Sequence, residues 1–176
     1  MQAGTSDDAG VVEVHLLGVP LGIRQRALEH AEEVRREVAL IVTGGTSPEL
    51  AALIARMTHL GVDVPEAYQR LASGLRAQLD EATAAGRASA DVHCQVTGEV
   101  VAAVTAMEEL FERLNDLSRA EKLLTLAVPE ELGAFRRWLL GQYTSQYKGE
   151  PPVPWPQWAA ALGLDLAADG AEDVDD

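Results

Sequence analysis

The spacing of apolar residues divides most of the chain into amphipathic helices. Ile23, Ala27, Ala31, Val34, Val38 and Ile41 recur at intervals of four and three, which places them on one side of a helix over about residues 21–42. Arg26, Glu29, Glu33, Arg36 and Glu37 fall largely on the other side. Ser47–Pro48–Glu49 reads as a helix start: a capping hydroxyl, a proline in the first turn, and an acid near the positive end of the dipole. Leu50, Leu53, Ile54 and Met57 form its stripe, and Gly61 ends it. Asp63, with Glu66 three residues on, repeats the capping logic for a helix reaching about Gly86. Tyr68, Leu71, Leu75, Leu79 and Ala82 face inward on it.

Thr97 caps the next helix, striped by Val100, Val104, Met107, Phe111 and Leu114 and flanked by Val101, Leu110 and Leu117. Ser118–Arg119–Ala120–Glu121 fits a capping box that opens a short helix through Leu123, Leu124 and Leu126. A last long helix opens at Val128–Pro129–Glu130–Glu131, with Leu132, Phe135, Leu139 and Tyr143 inward and Trp138 beside them.

Three stretches break the helical period. Val11 to Leu17 is β-rich and partly alternating, and Pro20 ends it as a short strand or an extended arm. Asp91 to Val96 is either a short strand, able to pair with the Val12 region, or a buried connector. Pro151, Pro152, Pro154 and Pro156 impose an extended segment before a final turn from Gln157 to Leu162. The expected fold is therefore mainly α. It is a bundle of four or five helices with a short N-terminal strand or extended arm and a Pro/Trp-rich C-terminal segment. Residues 1–10 and 164–176 read as disordered ends around a single helical domain over 11–163.

Composition narrows the function. The 176 residues carry 14 basic and 28 acidic side chains, a net charge of −14. That balance argues against nucleic acid and against anionic lipid as partners. Eight of the acids lie in the two ends, so residues 9–163 carry only −6. No run approaches the roughly 20 apolar residues of a membrane span, and the start has no basic leader region. A cytoplasmic location is the simplest expectation. A single cysteine, Cys94, excludes an intramolecular disulfide.

Candidate chemistry is sparse. The Thr43–Gly44–Gly45–Thr46 loop lacks the lysine of a P-loop. His93 and Cys94 are neighbours on an extended stretch, so their side chains point to opposite faces and do not form a thiol–imidazole pair. No zinc ligand set, nucleophile elbow or dinucleotide fingerprint is present, and neither a cofactor, a metal nor a catalytic residue is expected. His30, set among Glu29, Glu32, Glu33 and Glu37, is a candidate phosphoryl acceptor, although surface charge pairing accounts for the same residues.

The aromatics point elsewhere. Six of eight lie between residues 135 and 158. Tryptophan and tyrosine bury much area at low entropic cost and are favoured at binding interfaces. Arg136, Trp138, Trp155 and Trp158 are the candidate partner-binding residues. The alternative is intramolecular, with the Pro-Trp segment folded back as a clamp.

Two stretches add a resemblance. Leu16–Leu17–Gly18–Val19–Pro20–Leu21, Arg26, Glu29–His30, Glu33, Arg36–Glu37 and Leu40–Ile41 form the first. Leu123–Leu124–Thr125–Leu126–Ala127, Pro129, Phe135–Arg136, Trp138–Leu139, Gln146, Gly149 and Pro154–Trp155 form the second. Together they resemble small actinobacterial proteins associated with partner-switching regulation, alongside anti-sigma kinases, phosphatases and STAS-type antagonists. The resemblance implies a non-enzymatic regulatory protein whose partner is another protein, a signalling regulator by its context. A small-ligand or phosphoryl sensor using the bundle interior or His30 is the alternative expectation.

Overall fold

A computed structural model describes residues 10–44, 66–120 and 128–164. Strand β1 (Val12–Pro20) runs directly into helix α1 (Leu21–Gly44). Helix α2 (Glu66–Ala84) leads through a four-residue turn into strand β2 (Ser89–Val96). Helix α3 (Gly98–Ala120), helix α4 (Glu130–Tyr147) and the short helix α5 (Trp155–Ala161) follow. The described part of the protein is mainly helical, with one two-stranded antiparallel sheet.

That sheet settles the ambiguous stretch at Asp91–Val96: it is a strand, and it pairs with β1. Val12 lies opposite Val96, Val14 opposite Cys94, His15 opposite His93 and Leu16 opposite Val92. The alternation gives the ribbon two unlike faces. Val14, Leu16, Val19, Ala90, Val92 and Val96 point into the core. Glu13, His15, Asp91, His93 and Gln95 point out. The register shifts between Leu16 and Val19. Gly18 sits in that irregularity at φ 67°, a left-handed conformation that a side chain disfavours.

Helices cover the inner face and both edges of the ribbon. Leu71, Leu75, Leu79 and Ala82 of α2 are buried, as their spacing predicts, and Tyr68 is half-buried. Val100, Val104 and Leu110 of α3 are buried, whereas Met107 and Phe111 are half-exposed. Thr97 caps α3 through its hydroxyl, which accepts from Val100 N at 3.3 Å. Among the described side chains of the α1 stripe, Ile23 is buried, Ala27 and Val34 are half-buried, and Ala31 is exposed. Arg24 ties α1 to Asp80 of α2 at 2.7 Å, and Arg26 ties it to Glu131 of α4 at 2.8 Å.

Helix α4 departs most from its expected pattern. Leu132, Phe135 and Tyr143 are buried, but so are Ala134, Trp138, Leu140, Gln142 and Gln146. It packs against β1, α1, α3 and α5 at once, so no single stripe describes it. The capping box expected at Ser118 is also corrected, because α3 continues through that residue to Ala120. The final turn expected from Gln157 begins earlier, at Trp155, with Pro154 as its cap. Leu164, expected within the disordered tail, packs against the core and donates its backbone N–H to Ala159 O at 3.1 Å. The helix expected over residues 47–61, the helix expected through Leu126, and the ends at 1–9 and 165–176 lie outside the described residues.

The order of described elements partly repeats: strand, long helix, helix, then strand, long helix, helix, with the short α5 added at the end. The hydropathy pattern shows no such period. The two halves exchange cover, with α2 of the first lying along β2 and α4 of the second lying along β1.

Candidate functional site

The two halves meet at the facing pair His15 and His93. A glutamine side chain closes each outer edge of the ribbon at this level. Gln146 Oε1 accepts from His15 N at 2.9 Å, and Gln146 Nε2 donates to His15 O at 2.8 Å. On the other edge, Gln78 Nε2 donates to His93 O at 3.1 Å, and Gln78 Oε1 accepts from His93 N at 3.4 Å. The backbone groups of both histidines thus point away from the partner strand. They form a non-hydrogen-bonded antiparallel pair, the kind in which facing side chains stand closest. Their rings lie on the exposed face with centroids 6.3 Å apart, tilted by 36°. Glu13 Oε2 is 3.7 Å from His15 Nε2. Asp91, two residues before His93 as Glu13 is before His15, accepts from Gly18 N at 2.6 Å.

Behind this face, polar side chains carry the restraint inward. Gln146 Nε2 also donates to Gln142 Oε1 at 3.0 Å. Gln142 Oε1 in turn accepts from Val153 N at 3.0 Å. Trp138 Nε1 donates to Val153 O at 2.7 Å. Both backbone groups of Val153, in the proline-rich segment, are therefore held by side chains of α4. Prolines leave this segment few donors of its own, and α4 supplies what a strand or helix would otherwise give.

The candidate partner-binding residues separate. Trp138 is 0% exposed and Trp155 is 2% exposed. Their rings meet edge to face at 5.6 Å, and Phe135 packs against both at 5.9 Å and 5.6 Å. This is the intramolecular clamp, so these two residues are corrected from docking residues to core residues. The reason is physical: a ring with no accessible area offers nothing to a partner unless the fold opens. Arg136 faces the other way, its guanidinium 4.3 Å from the centroid of Phe111 on α3. Burial among apolar neighbours lowers its pKa, a shift that Glu112 counteracts. Trp158 keeps partial exposure on α5. One turn later Leu162 is 49% exposed.

His30 is enclosed more than a surface helix position suggests. Its side chain is only 17% exposed, with Nδ1 3.9 Å from Glu33 and Nε2 buried. The enclosed Nε2 works against attack on a phosphoryl donor. His93 and Cys94 do point to opposite faces of β2. Burial pushes the Cys94 thiol up to about 11, which is the reverse of an activated nucleophile. Between α3 and α4 lies an open groove of about 620 Å³, lined by Thr105, Glu108, Glu109, Glu112, Arg113 and Arg137. Its charges are mixed and solvent-facing. Among the described residues, no three His, Cys, Asp or Glu side chains form a cluster able to hold a metal ion. No helix among them is long and apolar enough to cross a membrane.

No protein-family model matches the chain, and no curated protein or solved structure does either.

Gln78, Gln142 and Gln146 organise the ribbon but stand outside the candidate residues of the sequence. Two signals pointed to the arrangement. Gln142 and Gln146 stand four apart on the same side of α4. Glu13–Val14–His15 and Asp91–Val92–His93 repeat one acid–valine–histidine triplet.

Proposed function

We propose that this is a cytoplasmic, non-enzymatic regulatory protein that acts by binding another protein, in a bacterial partner-switching system. The observation that carries the reading is the edge of α5. Trp155 fixes that helix in the aromatic core, while the exposed Leu162 at its C-cap stands four residues after Trp158, which is half-buried against the core. An exposed leucine beside a tryptophan on an anchored helix is a preorganised apolar contact, which lowers the ordering cost of binding. The resemblance of residues 16–41 and 123–155 to partner-switching proteins supports the same reading and names the partner class: a STAS-type antagonist, an anti-sigma kinase or a phosphatase. Arg136 belongs to a different contact, with Phe111, and takes no part in this surface.

The test is direct binding of the full chain to purified members of that class from the same cell, by calorimetry. Wild type should bind one of them, and Trp158→Ala combined with Leu162→Asp should weaken binding at least tenfold while leaving the circular dichroism spectrum unchanged. Equal binding by wild type and the double variant would remove α5 from the interface. Absence of binding to every member of the class would refute the regulatory assignment.

A further inference from the structure

The outer face of the ribbon has a feature that the proposed regulatory role does not use. Two imidazoles, His15 and His93, stand directly opposite each other on adjacent strands. Both rings are on the exposed face, with centroids 6.3 Å apart. A cross-strand histidine pair is a bidentate arrangement of borderline-soft nitrogen donors, which suits divalent zinc, copper or nickel. One ion at about 2.0–2.1 Å from each nitrogen requires the two donor atoms to stand only ~3 Å apart. The side chains are exposed and turn about χ1 and χ2 without disturbing the core, so they can close to that distance.

Their backbones do not have that freedom. Each histidine has both its N–H and its C=O held by one glutamine amide, Gln146 for His15 and Gln78 for His93. Gln146, 6% exposed, commits a buried side chain to this restraint. The restraint fixes the separation of the two side-chain origins, and such preorganisation separates a chelating pair from two unrelated surface histidines. Glu13 Oε2, 3.7 Å from His15 Nε2, supplies the carboxylate that commonly orients a ligating imidazole. Asp91 is already engaged by Gly18 N. Among the described residues no third protein ligand joins the pair, so water would complete the coordination and the site would be open.

We propose that His15 and His93 together bind one divalent transition-metal ion of the zinc and copper class on the outer face of the β1–β2 ribbon. The experiment is calorimetric titration of the full chain with zinc chloride, and separately with copper(II) chloride, in a non-chelating buffer at neutral pH. Wild type, His15→Ala, His93→Ala and His30→Ala are compared, with circular dichroism to establish that each variant folds. The expected result is one ion per chain, with affinity reduced roughly tenfold or more by either His15→Ala or His93→Ala and unchanged by His30→Ala; loss of an outer-shell group alone commonly costs about 10–100-fold. Electron paramagnetic resonance of the copper form should show two equatorial nitrogens, falling to one in each ribbon variant. Binding that survives both ribbon substitutions, or that depends on only one of them, would overturn the proposal. The outcome is independent of whether α5 binds a protein partner.

Discussion

The side-chain amide of Gln146 pairs with the backbone of His15 as a neighbouring strand would, accepting at 2.9 Å and donating at 2.8 Å across 131 residues of sequence. A two-stranded ribbon has two open edges, and unpaired edge groups either recruit another strand or lose hydrogen bonds when covered. Here a helix covers each edge, and a glutamine on that helix satisfies the groups it hides.

Gln146→Ala should therefore be among the most destabilising single changes on α4. It removes both bonds to His15 and the bond to Gln142, and leaves hidden backbone groups without partners. The expected loss is about 2–4 kcal/mol. Gln78→Ala removes longer bonds at a more accessible edge and should cost under about 1 kcal/mol. Urea unfolding followed by circular dichroism compares the two, and equal losses would contradict the asymmetry.

The aromatic clamp gives a second expectation. Trp138→Ala and Trp155→Ala each leave a large void beside the other ring and beside Phe135, and each should cost about 3–5 kcal/mol. Trp138→Phe retains much of the packing but loses the donor to Val153 O, so it should cost less and loosen the segment around Val153. Thermal melts provide the ranking, and amide exchange at Val153 reports the loosening. A Trp155→Ala protein with unchanged Tm would mean that the ring is not part of the core.

Cys94 faces inward on β2, and burial pushes its thiol up to about 11, above the ordinary thiol range. It should react with a disulfide reagent far more slowly in the native protein than in urea at pH 8. The native fold holds the proton more tightly than the unfolded chain. Stability from this group is thus fully present below about 9 and declines as pH rises from there toward about 11. Cys94→Ser, followed by denaturant titration at pH 8 and pH 10.5, should show a smaller pH-dependent loss than wild type.

Gly18 combines a positive φ with a close neighbour. A Cβ there would lie 3.0 Å from Pro156 Cδ, and the left-handed conformation adds strain of its own. Gly18→Ala should cost about 1–2 kcal/mol from conformation alone, and should also shift tryptophan fluorescence as α5 is displaced. Gly74→Ala, at an open helical position, should be neutral or stabilising by comparison. The pair is compared by thermal unfolding and emission spectra.

The sequence by itself determined the four long helices described, α1 to α4, because amphipathic spacing and capping are local: Leu71, Leu75 and Leu79 face inward on α2, and Thr97 caps α3, without reference to distant residues. It also determined that His93 and Cys94 part to opposite faces, since a strand alternates by geometry alone. Tertiary structure decided what no local pattern contains. It chose a strand over a connector for Asp91–Val96, because a strand becomes favourable only when another lies beside it. It sank Trp138 and Trp155 into the interior instead of onto a docking face, because burial depends on what the proline-rich segment folds against. And it brought Gln78 to His93 and Gln146 to His15, because a backbone group at a sheet edge takes whichever partner the covering helix places within hydrogen-bonding distance.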